Sequence, residues 1–427
     1  MKELVKNILN TILPTSVYAR LLSLYHFALA YIGALIYRYP SRHLTVIAVT
    51  GTKGKSSTVE LIYAMLTEAG HKTAAAGTIR FCIGDVCEPN RYKMTMMGRF
   101  FLQKFLRKAV DSGCTHAVIE MTSEGARLHR HRGIDLDALV FTNIAPEHLE
   151  RHGGMEHYVA AKLSIAEHLA HSSKHPRVIA ANTDDAYGAR FLSINADIHA
   201  PFSLSDAKPY TANDRGIDFV WRGEQFHSPL PGIFSLYNIL AALTICNVLG
   251  VPHDVLQRAV VRTEVIAGRG ERIERGQPFS VIVDYAHTPD SLHALYDAFS
   301  SIAGRRIAVI SATGGGRDVW KRPAMGTIAD QMCDIAFITD EDPYDEDPQQ
   351  IIDDVAKGFS RLTPHIILDR REAIRAALKE ARAGDAVLIS GKGTDPCIMR
   401  AHGEREEWSD RKVAEEELDA LIPNALH

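Results

Sequence analysis

The chain has 427 residues, of which 46% are apolar and 23% are charged, and its formal net charge at pH 7 is −4. This length exceeds what one hydrophobic core usually serves, so we expect two or three globular domains. The composition is that of an ordinary globular protein, and because it has no basic excess we predict no nucleic-acid partner.

The six cysteines show neither a disulfide framework nor a zinc site. Cys82 and Cys87 are close in sequence, but no second pair stands at the spacing that zinc sites use. We therefore predict reduced thiols and a cytoplasmic location.

The segment 1–42 contains an apolar stretch that allows three interpretations. Residues 21–37 include no Asp, Glu, Lys or Arg, and Arg20, Arg38 and Arg42 flank them. No cleavage pattern of a signal peptide accompanies the stretch. It is a helix docked on the body, a helix that contacts a membrane surface through residues 17–39, or a membrane span, for which it is slightly short. The second interpretation would place the protein at the inner face of the membrane.

Residues 43–66 form the stretch around which we expect the chain to be organised. Residues 44–49 are apolar and rich in β-branched side chains, which predicts a buried strand. A glycine-containing turn follows, and residues 59–66 have helical spacing. A strand, a glycine loop and a helix start make a phosphate cradle, because backbone N–H groups and the positive end of the helix dipole face the anion.

Within this loop, Lys55 would reach the outer phosphates of a nucleotide and the Ser56 hydroxyl would hold Mg²⁺. The glycine spacing is shorter than in the commonest phosphate loop, so an ordinary turn between strand and helix is the alternative. The residues that we predict to bind a nucleotide here are Gly51, Thr52, Lys53, Gly54, Lys55, Ser56 and Ser57.

Short apolar strands then alternate with helices. Strands are predicted at 71–80, 115–121, 137–143 and 178–182, and a helix at 100–112. This alternation predicts a parallel sheet with its ligand site at the carboxyl ends of the strands. Ser56, Glu120, Asn143 and His148 would meet there, and a carboxylate such as Glu120 suits Mg²⁺, although a helix cap would look the same.

The segment 143–162 holds His148, His152, His157 and an isolated Lys162. A histidine there could ligate a metal, and a lysine beside a metal could act as a point charge or be modified to an anion. The spacing alone is weak evidence, because His148 and His152 could simply share one face of a helix.

A second alternating series begins after residues 263–270, where we place a domain boundary. Before it, residues 202–231 predict a β-hairpin excursion and residues 235–249 a helix. Strands are predicted at 280–285, 306–311, 335–339 and 386–390, and helices at 291–300, 322–332, 348–360 and 371–382.

Three loops of this second series could contact a ligand. They read DYAHTPDS from residue 284, TGGGRD from residue 313 and GKGTD from residue 391. Aromatic and histidine side chains suit a nucleotide base or ribose, and a glycine loop with Lys321 nearby suits a phosphate or carboxylate. Structural turns would have the same composition.

These patterns together predict an α/β fold with three parts. A short helical segment would occupy residues 1–42, a central P-loop ATPase-type parallel-sheet domain residues 43–264, and a C-terminal Rossmann-like α/β domain residues 265–427.

The motifs, taken in order, resemble the Mur ligase family. They are GTKGKSS, IEMTSEG, NIAPEHLERHG, DYAHTPDS, GGGRDVWKRP, DEDPYDEDP, DRREAI and GKGTD, spread over about residues 44–415. The chain is most similar to the members that add the third amino acid to a muramoyl dipeptide. The resemblance implies an ATP-dependent amide ligase that acts through an acyl phosphate with two Mg²⁺ ions on small-molecule substrates.

The resemblance also implies a role for each matching residue. The metal ligands would be Ser56, Glu120, His148 and a carbamylated Lys162. Further ATP contacts would be Asn238, Arg269, Asp284, Tyr285 and His287. The groups that act on the reacting phosphates would be Lys55, Lys162, His148, Arg269 and Lys321. The acyl substrate would be held by Thr95, Ser123 and Arg130. The incoming amino acid would be selected by Asp342, Tyr344, Gly391 and Asp395.

The chain departs from the family in three places. The segment 1–42 is shorter than the family's uridine-binding domain, so an acyl substrate without UDP is conceivable. Diaminopimelate-adding members carry Asp-Asn-Pro-Arg where this chain has Tyr344 in the last position, and the lost guanidinium disfavours that acceptor. The family's Gly-Lys-Gly-His-Glu ends here in Thr394 and Asp395.

Two other functions remain open. One is a different ligase of the same superfamily, of the cyanophycin or folylpolyglutamate type. The other is a non-catalytic nucleotide-binding scaffold held at the membrane by residues 21–37.

Overall fold

The structure is a computed structural model that describes residues 14–147, 152–316 and 318–421. An eight-stranded sheet, the N-terminal sheet, carries the first half of the chain. Its strands are β1 (Thr45–Thr50), β2 (Thr73–Ala76), β3 (Arg80–Ile83), β4 (Val86–Pro89), β5 (His116–Glu120), β6 (Ala138–Phe141), β7 (Val178–Asn182) and β8 (Ile198–Phe202). Their order is β4-β3-β2-β5-β1-β6-β7-β8, in which the β2–β3 and β3–β4 pairs are antiparallel and the other pairs are parallel.

Helices cover both faces of this sheet. They are α1 (Thr15–Ile36), α2 (Lys55–Glu68), α3 (Arg99–Asp111), α4 (Ser123–Arg127), α5 (Met155–Ala170), α6 (Gly188–Leu192), α7 (Gly232–Val248) and α8 (His253–Arg262). Successive side chains of β1 point to opposite faces. Ile47 and Val49 pack into the core with α2, α7 and α8, whereas Val46 and Ala48 pack into the core with α3 and α5. Because both faces of β1 are covered, its place in the sheet requires a continuous run of apolar side chains.

Between β8 and α7 the chain forms a small antiparallel sheet where a hairpin was predicted. Its strands are β9 (Tyr210–Asn213), β10 (Gly216–Trp221) and β11 (Glu224–Ser228). Phe219, Trp221 and Phe226 pack against the core beneath α7. The excursion thus shields one end of the N-terminal sheet.

A six-stranded C-terminal sheet carries the second half. Its strands are β12 (Glu271–Arg272), β13 (Ser280–Asp284), β14 (Arg306–Ile310), β15 (Ile335–Ile338), β16 (His365–Ile366) and β17 (Ala386–Ser390), in the order β12-β13-β17-β14-β15-β16. The helices are α9 (Pro289–Ala298), α10 (Lys321–Met332), α11 (Pro348–Ala356), α12 (Arg370–Glu380) and α13 (Asp410–Leu421), and a hairpin of β18 (Cys397–Met399) and β19 (Arg405–Glu407) follows β17. Short 3₁₀ turns occupy Pro40–His43, Leu204–Ala207 and Ala401–Gly403.

The predicted fold class is confirmed: the chain is α/β, with two sheets that are mostly parallel and a helix before the first strand. The domain limits at residues 42 and 264 stay a prediction. The sequence did not indicate β3, β4, β18 and β19, because such short strands carry no sustained alternation of apolar and polar residues.

The predicted redox state of the cysteines is wrong for one pair. Cys82 on β3 lies directly opposite Cys87 on β4, and a disulfide joins them. The register of a tight antiparallel hairpin places the two side chains face to face, which their spacing did not reveal. The free cysteines among the described residues are all buried: Cys114, Cys246, Cys333 and Cys397.

Helix α1 is docked on the body, as the first of the three interpretations predicted. Ala30 and Ala34 are fully buried, and the Ser23 hydroxyl lies 2.8 Å from Nε2 of His129. Small side chains at this face let the helix backbone approach α3 and the loop after α4. Within the described ranges, no helix combines the length and the apolarity that a membrane crossing needs.

Gly133 controls how closely α1 approaches the loop after α4. Its φ is +74°, and an added Cβ would lie 3.0 Å from the Ala34 Cβ and 3.1 Å from the Ala30 carbonyl oxygen. Gly113 has a similar φ of +78° with no atom within 4 Å of an added Cβ, so it is a matched control. We expect Gly133→Ala to lower the free energy of unfolding by about 1–3 kcal/mol more than Gly113→Ala does, because only Gly133 presses on the helix. Denaturant titration measures both, and equal losses would contradict close docking.

Candidate active site

A cavity of about 910 Å³ lies at the carboxyl ends of strands from both sheets. The predicted site residues that line it are Thr52, Lys53, Gly54, Lys55, Ser56, Ser57, Thr95, Glu120, Ser123, Arg130, Lys162, Asn238, Arg269, Asp284, Tyr285, His287, Lys321, Asp342, Tyr344 and Asp395. Gly51 and Gly391 lie just behind its walls, and His148 lies outside the described residues. The two halves of the chain therefore share one site.

The loop after β1 has the shape of an anion cradle. Gly54 caps α2 with φ +80°, and a Cβ there would come within 2.2 Å of the Asn238 side-chain oxygen. Only glycine allows this approach of α7 to the loop. The first N–H groups of α2 have no partner within the helix, so they are available to a phosphate.

Glu120, at the end of β5, is 2% exposed and faces this loop. The Ser56 hydroxyl donates to its two oxygens at 3.2 and 3.1 Å. The Thr78 N–H and hydroxyl donate to Oε2 at 2.8 and 2.9 Å. A carboxylate beside a hydroxyl is the oxygen pair that Mg²⁺ prefers, so Ser56 and Glu120 fit one such ion next to the phosphates.

Lys162 is buried on α5, behind the loop. Its Nζ donates to the Gly51 carbonyl oxygen at 2.6 Å and lies 4.7 Å from the centre of the Tyr158 ring. Burial, and then the positive charge of Lys55, hold the pKa of the Lys162 amine well below its ordinary value. Within the described ranges no group of three or more His, Cys, Asp and Glu could hold a metal. A second ion would need oxygens that an unmodified Lys162 does not supply.

Arg269 brings positive charge from the second half of the chain to the cradle. Its guanidinium lies 4.4 Å from the centre of the Tyr285 ring, and one of its N–H groups points at the Ser56 hydroxyl, 3.5 Å away. Asp284 accepts N–H bonds from Gly270 at 2.6 Å and Ala286 at 2.7 Å. Asp284 therefore fixes the loop that carries Arg269.

Glu147 joins the two halves, and the sequence analysis did not single it out. Its Oε1 accepts from Lys53 Nζ at 3.0 Å and lies 3.2 Å from Nε2 of His287. The Glu147 side chain is 7% exposed. Glu147 directly precedes His148 in the motif NIAPEHLERHG, and this position is the sequence signal that could have identified it.

Lys321 begins α10 and forms an ion pair with Asp318, in the loop after β14. Both line the cavity. The pair holds the lysine at the end of the glycine loop, where α10 begins.

The three residues predicted to hold the acyl substrate lie on one wall. The Thr95 hydroxyl lies 2.8 Å from that of Thr78, and the Ser123 hydroxyl lies 3.1 Å from Nε2 of His152. Arg130 donates to the Met96 carbonyl oxygen. Because Thr78 also donates to Glu120, this wall is continuous with the pair formed by Ser56 and Glu120.

The lining of the cavity also contains a buried charge network. Asp342 accepts from Lys93 Nζ at 2.6 Å, from Lys392 Nζ at 2.9 Å and from the Met399 N–H at 2.7 Å. Although burial favours the neutral acid, the two ammonium groups lower the pKa of Asp342. Asp395 lies 3.3 Å from Lys392 and 3.4 Å from Lys93. The two carboxylates are therefore balanced by two lysines.

The other predicted acceptor residues lie around this network. Tyr344 has φ +55° and its ring lies against Gly315, in the loop after β14. The Gly391 N–H donates to the Asp284 carbonyl oxygen at 3.1 Å, so its role is to join β17 to β13. Lys93, from the first half of the chain, was missed because nothing local relates it to Asp342.

Comparisons with known proteins agree with this geometry. The profile of the Mur ligase middle domain matches residues 49–246, and that of the Mur ligase, glutamate ligase domain, matches residues 268–393. A UDP-N-acetylmuramoyl-L-alanyl-D-glutamate--2,6-diaminopimelate ligase of Syntrophomonas wolfei is 34% identical over 92% of this chain and 82% of its own length. A UDP-N-acetylmuramyl-tripeptide synthetase of a Roseiflexus species is 35% identical over 87% of this chain and 78% of its own.

Solved structures give the same result. A structure of a UDP-N-acetylmuramoyl-L-alanyl-D-glutamate--2,6-diaminopimelate ligase aligns with a TM-score of 0.61 at 29% identity, over 88% of this chain and 79% of that chain. A folylpolyglutamate synthase of Mycobacterium tuberculosis aligns with a TM-score of 0.66 over 90% and 92% of the two chains, and at 16% identity it shows the shared fold alone. The chain belongs to the Mur ligase family of ATP- and Mg²⁺-dependent amide ligases.

Proposed function

We propose that this enzyme adds the third amino acid to a muramoyl dipeptide in the cytoplasm, as a step of peptidoglycan biosynthesis. The observation that carries the proposal is the single cavity in which the phosphate cradle, Glu120 and Lys162 face Arg269 and Lys321. The names of the relatives support the substrate class.

The reaction needs two transfers, the first at the γ-phosphorus of ATP and the second at the acyl carbon of the substrate. The substrate carboxylate attacks the γ-phosphorus of ATP, which releases ADP and leaves an acyl phosphate. The amine of the amino acid then attacks the acyl carbon, phosphate leaves, and the amine loses a proton as the amide forms. We propose that Lys55, Arg269 and Lys321 hold the reacting anions together, because fixed cations offset repulsion between carboxylate and phosphates.

We propose that Ser56 and Glu120 hold one Mg²⁺ and that a carbamylated Lys162 contributes to a second site. A bound ion neutralises phosphate oxygens and favours attack at phosphorus. The buried amine of Lys162, whose lowered pKa favours its uncharged form, would form an N–C bond to CO₂ and release one proton, which turns a lysine into an anionic oxygen donor. His148 as a further ligand stays a prediction.

Closure of the two halves would exclude water from the acyl phosphate. Two contacts support this proposal. Glu147 bridges Lys53 and His287, and Lys93 reaches Asp342 across the cavity. Both contacts use charged groups with little exposure, which are costly to separate without new partners.

The acceptor amino acid is the point at which we expect this enzyme to differ from the relatives named above. Lys93 and Lys392 already balance Asp342 and Asp395, and Tyr344 stands where a diaminopimelate-binding arginine would stand. We propose that the acceptor side chain lacks a distal carboxylate, as lysine does.

We expect Tyr344→Arg to raise kcat/KM for diaminopimelate by about 10–100-fold, because a bidentate guanidinium–carboxylate pair stabilises by roughly 1.5–3 kcal/mol. Tyr344→Phe is the control, since it keeps the ring and adds no charge. Steady-state kinetics with both amino acids measures the effect. If wild-type enzyme already prefers diaminopimelate, the proposed selection by Tyr344 is wrong.

A phosphate-release screen tests the proposed function. Each amino acid is offered with ATP and Mg²⁺, together with UDP-muramoyl dipeptide, a UDP-free analogue or a folate. We expect release only when a muramoyl peptide and an amino acid are both present. Release with folate and glutamate would favour a folylpolyglutamate-type ligase, and no release with any pair would favour a non-catalytic scaffold.

A further inference from the structure

Helix α1 presents a broad apolar face to solvent. Six large side chains on it are 46–65% exposed, namely Leu21, Leu24, Tyr25, Ile32, Leu35 and Ile36. We call these six residues the outer face. Helical spacing places them opposite Ala30 and Ala34, which are fully buried against the body. Soluble surfaces rarely keep a contiguous apolar patch of this kind without a binding role.

The outer face is held in place by polar contacts on the inner side of the helix. His26 Nδ1 lies 3.0 Å from a guanidinium nitrogen of Arg99, and the Ser23 hydroxyl lies 2.8 Å from the His129 ring. Gly33 lies against the Phe100 ring, 3.5 Å from the position of a Cβ. The apolar side chains are therefore presented outward on a fixed helix.

The charged residues that α1 and the described segments flanking it contribute around the outer face are all basic. Residues 14–43 contain no Asp or Glu, while Arg20 and Arg38 are exposed near the two ends of the helix. Arg42 also retains 57% side-chain exposure, although it pairs with Asp135. An apolar strip with basic residues at both ends complements the acyl region and the headgroups of an anionic lipid leaflet.

A second copy of this chain is a poorer occupant. A two-fold interface pairs the same patch on both subunits, so it would bring Arg20 and Arg38 against their own copies or against each other. No acidic side chain on the helix would offset that repulsion. Lipid phosphates offset it directly.

We propose that α1 binds the surface of an anionic bilayer, with its axis in the membrane plane and its outer face among the acyl chains. Tyr25 suits this depth, because its ring is apolar and its hydroxyl stays in the headgroup layer. The helix lies on the bilayer without crossing it, since no helix in the described part of the chain is long and apolar enough to span a membrane. The cavity of the enzyme would then operate next to the membrane.

The full-length protein can be tested by co-sedimentation with vesicles. One set is phosphatidylcholine alone, and the other contains about 30% phosphatidylglycerol, enough to give a negative surface potential. The variants are the double substitution Leu24→Glu and Leu35→Glu and, as a matched control, Val86→Glu. Val86 is 70% exposed on β4, so it tests the loss of an exposed apolar side chain elsewhere.

We expect wild type and Val86→Glu to sediment with the anionic vesicles, and the double variant to bind at least about tenfold more weakly. Salt at about 0.5 M should reduce wild-type binding, because it screens the arginines. Thermal unfolding of all variants checks that the fold is kept.

Two results would overturn the proposal. One is wild-type protein that stays in the supernatant with both kinds of vesicle. The other is a folded double variant that binds as tightly as wild type. If analytical ultracentrifugation shows a dimer that the double variant loses, and vesicles bind neither protein, the outer face is an interface between two copies.

Discussion

Replacing Lys162 by alanine is expected to lower amide formation by about 10²–10³-fold, and formate or acetate is expected to restore part of the loss. The amine is buried and donates to the Gly51 carbonyl oxygen, and burial lowers its pKa, which favours the uncharged form that reacts with CO₂. A small carboxylate that enters the space left by the side chain would supply the same anionic oxygens as the carbamate.

The rescue distinguishes carbamylation from a purely structural role. Lys55→Met is the matched control, because it removes another lysine of the same cavity whose function needs a positive charge. Formate should leave that variant inactive. If small carboxylates fail to restore Lys162→Ala under saturating Mg²⁺, the carbamate is not the working group.

Loss of Lys55 is expected to have the second large effect, a fall of roughly 10³-fold in kcat with a smaller change in the KM for ATP. Its Nζ lies 2.9 Å from the Thr52 carbonyl oxygen, at the open side of the cradle. There it would meet phosphate oxygens, whose negative charge shifts as the carboxylate attacks. Single-turnover kinetics separates this step from ATP binding.

Lys53 offers a comparison within the same loop. Its Nζ is already engaged by Glu147, so Lys53→Met should chiefly weaken the contact between the two halves and raise the KM for ATP. Equal losses of kcat in Lys53→Met and Lys55→Met would contradict the separate roles proposed for these two lysines.

The sequence predicted those site residues that belong to continuous sequence motifs. The loop from Gly51 to Ser57 follows a buried strand, and Glu120 ends another strand of the same sheet, so parallel pairing brings them together. No sequence motif indicated the contacts between segments that are distant along the chain. Lys93 and Asp342 are 249 positions apart, and only the tertiary fold pairs them.

Two further features could not be predicted from the sequence because they depend on packing: the disulfide and the side of α1 that faces the body. Cys82 and Cys87 face each other through the register of one hairpin, which their spacing did not indicate. The segment 21–37 is apolar on all sides, so its pattern could not separate a docked helix from one at a membrane. The small Ala30 and Ala34 decide which side meets the body. That choice also defines the face left exposed.

We expect the enzyme to activate the substrate carboxylate by phosphorylation. The most direct measurement follows ¹⁸O from the terminal carboxylate of the muramoyl dipeptide during amide synthesis. If an acyl phosphate forms, one ¹⁸O per amide passes to inorganic phosphate, which mass spectrometry detects. Amide formation with unlabelled phosphate would contradict an acyl-phosphate intermediate.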